Sequence, residues 1–260
     1  MNHASHRWLA ALVLIGAAAI PARADDAPAI EVRVTELMKQ MSQYTGALER
    51  FRITVDTSQD EMDGGQLVQV SETKTIAVQR PNHVVCEVQG DGVHRRTWFD
   101  GKVLTMCDLL QKVHASRELP GSIAEMLDRA ERKLGHSLPM ADLLRPDIYA
   151  AMMARVVSGR YLGLHRVSDK RCHHLAFRQD EIDWQIWIDE GDKPLARKLV
   201  ITYKLEPGNP QYTALIRSWD TDLTLAPEVF RPEIPAGSEQ IDIRPVPESD
   251  DATPPAKEVR

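Results

Sequence analysis

The most informative segment of the chain is Cys172–Tyr203, which reads CHHLAFRQDEIDWQIWIDEGDKPLARKLVITY. Apolar and polar side chains alternate along most of it, a period of two that is typical of β-strands with one buried face. The alternation is interrupted twice, at Asp180–Glu181 and at Asp192–Pro194, and each interruption predicts a tight turn. The segment therefore predicts three consecutive antiparallel strands.

The first turn fixes the pairing of the first two strands. With Asp180–Glu181 as the two central residues of the turn, Phe177 lies opposite Trp184. Two residues further along each strand, Leu175 lies opposite Ile186. A slip by one residue would move these apolar side chains to the opposite face of the sheet, so the apolar pattern supports this register.

The second turn continues the same apolar face onto the third strand. A turn centred on Asp192–Pro194 predicts that Trp184 lies opposite Leu199. The same turn predicts that Ile182 lies opposite Ile201. The shared face of the three strands is Leu175, Phe177, Trp184, Ile186, Ile188, Leu199 and Ile201. This face predicts one wall of an apolar core or cleft, and nothing in the segment predicts a reaction centre.

The N-terminus has the pattern of an export signal. Arg7 supplies a positive charge, residues Trp8–Ile20 are apolar, and Ala22–Ala24 is a small-x-small cleavage site. The apolar run is too short to span a bilayer as an anchor. We therefore expect residues 1–24 to be a secretory signal peptide that is cleaved after Ala24.

The net charge and composition limit the possible partners and the number of domains. The formal charge is −6 over 260 residues, and loss of the signal peptide removes two arginines and no acid. Such acidity disfavours binding to nucleic acid and electrostatic docking on anionic lipid. The content of 43% hydrophobic residues suffices for one domain, placed at residues 25–245. The polar, proline-containing end, residues 246–260, is predicted to be a disordered tail.

The three cysteines are Cys86, Cys107 and Cys172, an odd number that leaves at least one thiol unpaired. Cys86 and Cys107 fall two strands apart in the predicted meander, about 9–10 Å at the usual strand spacing. A disulfide needs Cα atoms within roughly 7 Å of each other. The sequence therefore predicts buried free thiols.

Strand meanders alternate with helices along the rest of the chain. The expected order is helix 30–48, strands within 51–116, helices 122–134 and 138–157, strands within 160–221, a helical turn at 226–230 and a short strand at 240–243. Asp100–Gly101 predicts a type I′ hairpin turn. Ser122 and Glu125 predict a capping box at the start of the second helix, and Gly135 predicts its end. The second helical stretch, 138–157, is expected to be interrupted at Pro146.

The predicted elements define a fold class. A sheet of about ten or eleven mostly antiparallel strands must curl, and apolar helices need a face against which to bury. We therefore predict an α+β fold: a curved, open, antiparallel half-barrel with helices covering the concave face.

Four segments resemble known bacterial proteins. Phe99–Val113, FDGKVLTMCDLLQKV, is similar to a hairpin of outer-membrane lipoprotein carriers of the LolA type, with Cys107 and Leu109 where those carriers usually have tyrosine and proline. The other three segments resemble a periplasmic family known only as a domain of unknown function, which is assigned to the lipoprotein-carrier-like fold. They are SGRYLGLHRV (158–167), CHHLAFRQDEIDWQIWI (172–188) and RKLVITYKLEPGNPQYTA (197–214).

The resemblance implies a periplasmic protein with an apolar cleft between the sheet and its helices. The implied function is binding or carriage of a hydrophobic ligand (a lipid, an acyl chain or a lipidated protein), with a membrane-bound donor or acceptor protein as a further partner. The expected lining is Trp184, Ile186, Leu199, Ile201, Leu175 and Phe177 from the sheet, with Met126, Met152 and Met153 from the helices. Two alternatives stay open: these residues form a filled core, or the chain is a non-transporting periplasmic sensor or protein-interaction module of the envelope.

The sequence offers no convincing catalytic or metal site. In Cys172-His173-His174, adjacent strand residues point to opposite faces, so the two histidines cannot both bind one ion. The carboxylates around Asp180 and Asp189 lie at opposite ends of one strand, which does not suit paired acid–base chemistry. Motifs for serine hydrolases, phosphate binding and zinc proteases do not occur. We therefore expect no enzymatic activity, no metal and no cofactor.

Overall fold

The computed structural model describes residues 29–134 and 139–242, except for the side chains of Lys133 and Leu134. The predicted signal peptide, the predicted tail and the predicted helix end at Gly135 lie outside these residues. The elements are α1 (Val32–Gly46), β1 (Arg50–Asp63), β2 (Gln66–Gln79), β3 (His83–Gly90), β4 (Val93–Phe99), β5 (Val103–Asp108), β6 (Val113–Glu118), α2 (Ile123–Leu134), a 3₁₀ turn (Ala141–Leu144), α3 (Ile148–Met153), β7 (Ser158–Val167), β8 (Lys170–Arg178), β9 (Ile182–Asp189), β10 (Ala196–Tyr203), β11 (Gln211–Asp220), a 3₁₀ turn (Pro227–Phe230) and β12 (Glu239–Gln240).

All twelve strands of the described residues belong to one open, curved sheet in the order β12-β6-β5-β4-β3-β2-β1-β11-β10-β9-β8-β7. Each meander, β1–β6 and β7–β11, pairs its strands in sequence order. The two meanders are joined by antiparallel pairing of β1 with β11. β1 is the first strand of the first meander, and β11 is the last strand of the second. The predicted half-barrel is confirmed. The predicted strand at 240–243 is shorter than expected, and as β12 it pairs parallel with β6.

The register predicted for β8 and β9 is confirmed, whereas that for β9 and β10 is wrong by two residues. Phe177 lies opposite Trp184 in the first pair. In the second pair, Ile201 and not Leu199 lies opposite Trp184, and Tyr203 lies opposite Ile182. One residue of the shift is already present where Ala196 lies opposite Ile188, and the irregularity between Ala196 and Lys198 adds the second. Because the shift is an even number of residues, the apolar face stays intact.

The turn predicted to be type I′ is of another kind. Gly101 has φ +86° but Asp100 is not in the positive-φ region, and a type I′ turn needs positive φ at both central residues. Instead, the Asp100 carboxylate accepts hydrogen bonds from the backbone N–H groups of Lys102 (2.9 Å) and Val103 (2.8 Å). An Asp-Gly dipeptide can form an Asx-type turn as well as a type I′ turn. The dipeptide alone therefore does not determine the turn type.

The helices lie on one face of the sheet and share its main core. The capping box is confirmed, since Ser122 Oγ accepts from the backbone N–H of Glu125 and the Glu125 carboxylate accepts from the backbone N–H of Ser122. The predicted stretch 138–157 is not one helix but the 3₁₀ turn Ala141–Leu144 and α3, divided at Pro146 as expected. Together α2, this 3₁₀ turn and α3 form what we call the helical cover. Its apolar side chains pack with α1 and with alternate residues of the strands.

A single arginine ties the helical cover to the sheet. Arg80, directly after β2, donates hydrogen bonds to three backbone carbonyls: those of Leu48 (3.1 Å), Leu144 (2.6 Å) and Arg145 (3.1 Å). Helix ends leave carbonyl groups without intrahelical partners, and a guanidinium can satisfy several of them at once. Burial lowers the pKa of Arg80 from its usual value. This residue therefore joins the end of α1 and the end of the 3₁₀ turn to the end of β2.

Gly46 provides the close contact that this arrangement requires. A Cβ atom at this position would lie 2.2 Å from the carbonyl oxygen of Pro146, which is far inside a normal contact. Because the nearest atom belongs to the backbone, it cannot move aside as a flexible side chain could. The end of α1 can therefore approach the cover this closely only with glycine.

The first prediction concerns the Arg80 contacts. We expect Arg80→Met, which keeps much of the side-chain bulk, to lower the free energy of unfolding by about 3 kcal/mol, because three acceptors lose a charged donor. Urea denaturation followed by circular dichroism measures this loss. Arg160→Met is the matched control, since Arg160 is exposed on β7. Equal effects of the two substitutions would contradict the role assigned to Arg80.

Candidate functional site

A cleft lies between the helical cover and the strands β9 and β10. Its volume is about 130 Å³. The sheet side consists of Ile182, Trp184, Leu199 and Ile201, and the cover side includes Leu127, Met140, Leu143 and Met152. The exposed lining residues Glu131 and Arg155 define the mouth of the cleft.

Trp184 forms the most rigid part of the wall. Its ring stacks on Phe177 with centroids 3.9 Å apart and planes inclined by 16°. Only 3% of Trp184 is exposed, and within the described residues its Nε1–H has no hydrogen-bond partner. Buried indole N–H groups usually have a partner, and an unpaired one costs about 1–3 kcal/mol. Trp184 therefore carries an unsatisfied donor that is buried in the protein interior.

The two arginines that line the cleft differ in their electrostatic state. Arg145 makes ion pairs with Asp128 (2.7 Å) and Asp142 (2.9 Å). Burial acts to lower the pKa of Arg145, but the two carboxylates outweigh it and the pKa is raised. Arg155, in contrast, forms no ion pair with any residue in the described ranges. Its positive charge at the mouth is therefore available.

The structure brings four of the nine predicted lining residues to this cleft: Trp184, Leu199, Ile201 and Met152. Four others lie in the shared core and do not line it, namely Leu175, Phe177, Ile186 and Met126. Met153 is half-buried beside that core. Their contact with a ligand remains a prediction for all nine residues. The sequence analysis missed Arg155 and Arg145, because no periodic pattern relates the end of α3 to β9.

The volume of the cleft decides what fits without rearrangement. A cavity of about 150 Å³ holds a benzene-sized molecule, whereas drug-sized ligands occupy roughly 300–1,000 Å³. A cleft of about 130 Å³ therefore takes only the end of an acyl chain in this conformation. A larger ligand requires the helical cover to move away from β9 and β10. The methionines Met140 and Met152 on the cover are flexible enough to repack around such a ligand.

The histidines of β8 point to opposite faces, as the strand alternation predicts. His173 contacts the Tyr161 hydroxyl through Nδ1 at 3.1 Å. His174 lies on the other face, where its Nδ1 is 3.1 Å from Nδ1 of His165 and its Nε2 is 2.9 Å from Oε1 of Gln185. Burial lowers the pKa of both His173 and His174. In the described part of the chain, no three side chains of the metal-ligating types come together to hold a metal ion.

The three cysteine thiols are free, and two of them are poorly reactive. All three lack a disulfide. Burial raises the pKa of Cys86 to about 11 and that of Cys172 to about 12. Since the thiolate is the nucleophile, such thiols are inert near neutral pH. The prediction of free thiols is confirmed, although Cys86 is half-buried and only Cys107 and Cys172 are buried. Cys86 and Cys172 do not suit nucleophilic chemistry.

None of the helices within residues 29–134 and 139–242 has the length and apolar content required to cross a membrane.

The second prediction separates the structural role of Trp184 from that of a surface residue. Trp184→Ala is expected to lower the free energy of unfolding by about 3–5 kcal/mol, because a buried, stacked ring is lost. Leu205→Ala is the control, since Leu205 is 74% exposed, and it should change stability by less than about 0.5 kcal/mol. Both values come from equilibrium urea denaturation. A loss below about 1 kcal/mol for Trp184→Ala would show that the ring does not support the core.

Several solved structures are similar to this chain. An uncharacterized conserved protein from Thermus thermophilus matches 81% of this chain and 99% of its own, with a TM-score of 0.49 and 9% identity. A LolA superfamily protein from Nitrosomonas europaea matches 76% of this chain and 97% of its own, with a TM-score of 0.40 and 7% identity. The Mycobacterium tuberculosis lipoprotein LppX matches 75% of this chain and 98% of its own, with a TM-score of 0.42 and 10% identity.

Sequence comparison gives a more direct assignment. No curated protein matches the chain in sequence. A family model described as "Predicted periplasmic protein (DUF2092)" matches residues 35–244, which is most of the chain and nearly all of its described residues. The chain therefore belongs to this family of predicted periplasmic proteins.

Proposed function

We propose that this chain is a non-enzymatic periplasmic protein that binds or carries a hydrophobic ligand between its sheet and its helical cover. The ligand is a lipid, an acyl chain or a lipidated protein, and a membrane-bound donor or acceptor protein is the expected partner for exchange. The supporting observation is the cleft itself, an opening between two layers with apolar side chains on its sheet side, where ligands commonly bind.

The composition of the walls supports an apolar ligand. Trp184, Leu199 and Ile201 provide a rigid surface on the sheet. Met152 on the cover is half-buried, so it can change rotamer without disturbing the core. A rigid wall opposite an adaptable one suits ligands of variable length.

The construction of the cover supports opening. The 3₁₀ turn and α3 are short, and Arg80, Gly46 and a hydrogen bond from the Tyr149 backbone N–H to Ser42 Oγ (2.9 Å) attach them to the rest. Apart from these attachments, opening would have to expose Leu143 and Ile148, which are buried in the main core. The cover is therefore the element that would move to admit a chain longer than the cleft.

The third prediction tests for a native ligand. Protein purified from the periplasm without detergent is examined by native mass spectrometry, followed by lipid extraction. We expect a stoichiometric apolar molecule that is released on denaturation. A mass without ligand, together with no uptake of lipid probes, would contradict the proposal, and an envelope interaction module would then be pursued by periplasmic pull-down.

The fourth prediction places the ligand in the cleft. Met152→Glu puts a carboxylate on its wall and should weaken binding of the neutral fluorescent probe N-phenyl-1-naphthylamine at least about tenfold, because a charge there must be desolvated. Met62→Glu is the matched control: Met62 is 50% exposed on the β1–β2 hairpin, outside the cleft. Fluorescence titration gives both affinities. Equal affinities for the two variants would place the ligand elsewhere.

A further inference from the structure

Two histidines lie close together on the face of the sheet opposite the helical cover. The Nδ1 atoms of His165 on β7 and His174 on β8 are 3.1 Å apart. The ring centroids are 4.9 Å apart, so the two rings face each other through their Nδ1 edges. Neither residue lines the cleft, and the function proposed above does not use them. The pair is therefore a separate feature of the outer face of the sheet.

A glycine and an irregularity in β7 bring the two rings together. Gly163 lies directly opposite His174, and the register of β7 shifts between Tyr161 and Gly163. Gly163 has φ +105°, a conformation that other residues rarely adopt. A Cβ atom at this position would lie 4.0 Å from Nε2 of His165. The ring of His165 therefore occupies the space that a side chain opposite His174 would otherwise fill.

His174 is held in one orientation and one tautomer. Its ring stacks on Trp187 with centroids 4.0 Å apart and planes inclined by 14°, and only 6% of the residue is exposed. Its Nε2 lies 2.9 Å from Oε1 of Gln185, an oxygen that can only accept, so Nε2 carries the proton. The lone pair of Nδ1 is therefore free on the side of His165. Metal-binding histidines are oriented by the same kind of hydrogen bond on their second nitrogen.

The surroundings of His174 favour its neutral form. Burial is the largest influence on the pKa of His174 and lowers it. The positive charges of His165 and Lys198 act in the same direction, whereas the hydrogen bond with Gln185 raises the pKa. Lys198 itself lies over the Trp187 ring, 4.9 Å from its centroid. Because a metal ion binds neutral imidazole, His174 is in the binding form near neutral pH.

The separation of the two Nδ1 atoms suits a metal ion. With metal–nitrogen bonds of roughly 2.0–2.1 Å, neighbouring nitrogens lie roughly 3.3 Å apart at a tetrahedral ion and roughly 2.9 Å apart at a square-planar ion. The observed 3.1 Å lies between these two values. We propose that His165 and His174 bind one Cu²⁺ ion through their Nδ1 atoms, with water in the remaining coordination positions.

The small number of protein ligands favours copper. No three His, Cys, Asp or Glu side chains come together in the described part of the chain, so water must supply the other ligands. The affinity then depends on the ion, and Cu²⁺ binds nitrogen ligands most tightly among the divalent first-row metals. His165 is exposed, so its Nδ1 proton can leave to solvent while its Nε2 takes up another. The ion replaces the proton that the two nitrogens share.

Calorimetric titration of Cu²⁺ into the full mature protein, without a histidine tag and in a buffer that does not bind copper, tests the site. We expect one ion per chain, bound at least about tenfold more tightly than Zn²⁺. The electron paramagnetic resonance spectrum should show coupling to two nitrogens. Absence of binding would overturn the inference, and equal affinities for Cu²⁺ and Zn²⁺ would overturn the choice of copper. The proposed function is independent of either result.

A substitution of the exposed ligand locates the ion. His165→Asn should weaken Cu²⁺ binding at least about tenfold and shift the melting temperature by less than about 3 °C. His94→Asn is the matched control, since His94 is also a strand histidine and has an acidic neighbour, Glu87, at 2.8 Å. This control should bind Cu²⁺ as the wild type does. If His165→Asn keeps the affinity of the wild type, the ion binds elsewhere and the inference is wrong.

The role of Gln185 as a positioning residue is tested by two further variants. Gln185→Leu removes the acceptor at Nε2 of His174 and should weaken Cu²⁺ binding about tenfold. Gln185→Glu keeps an acceptor there and should bind Cu²⁺ at least as tightly as the wild type. Equal affinities for the leucine variant and the wild type would contradict the orientation of His174 by Gln185.

Discussion

The pairing of β1 with β11 is the constraint on which the rest of the structure depends. It joins residues more than 150 positions apart, from Arg52 opposite Asp220 to Gln59 opposite Tyr212. Closing so long a loop costs conformational entropy before any contact is gained. Burial of Phe51, Ile53 and Ile216 next to this seam supplies compensating hydrophobic free energy. Without this pairing the two meanders would be separate sheets, and neither would enclose the helices.

The helical cover depends on the seam but is attached to it by polar contacts. Arg80 lies at the end of β2, next to β1, and binds carbonyl groups at the ends of α1 and of the 3₁₀ turn. The backbone N–H of Ile123 at the start of α2 donates to the carbonyl of Pro81 at 2.9 Å. These bonds satisfy helix-end groups that would otherwise be buried without partners. Hydrogen bonds to backbone carbonyl groups therefore fix the position of the cover. Burial of its apolar side chains stabilises it.

The cleft lies between the helical cover and the strands β9 and β10, where the hydrogen bonds and the apolar packing of the cover leave a gap. The sheet is rigid at Trp184 because the ring stacks on Phe177. The opposite wall, formed by the helical cover, includes Met140 and Met152. Methionine side chains are flexible, so they can adjust to the space that they fill. The chain belongs to a family of predicted periplasmic proteins. Trp184, Leu199 and Ile201 line the sheet side of the cleft, and the charged residues Glu131 and Arg155 lie at its mouth.

The periodic elements could be predicted from the sequence alone because their signals are local. Alternation in Cys172–Tyr203 gives three strands, and the Asp180–Glu181 turn gives the β8–β9 register. The Ser122–Glu125 capping box gives the start of α2. Neither the one-residue shift before β10 nor the irregularity after Ala196 has such a signal, and together they make the predicted β9–β10 register differ by two residues from the observed one. The turn at Asp100 differs from its prediction because the same dipeptide suits more than one turn geometry.

What the sequence by itself determined is the set of strands, their apolar face and the need for helices to cover it. Only the tertiary structure decided which of the apolar residues line a cleft and which fill the core. Lining residues and core residues have the same composition and the same periodicity in the sequence. Tertiary packing also brought Arg155 from the end of α3 to the mouth beside β9 and left the Trp184 N–H unpaired. Such placements depend on contacts between residues far apart in the chain, and no local pattern encodes them.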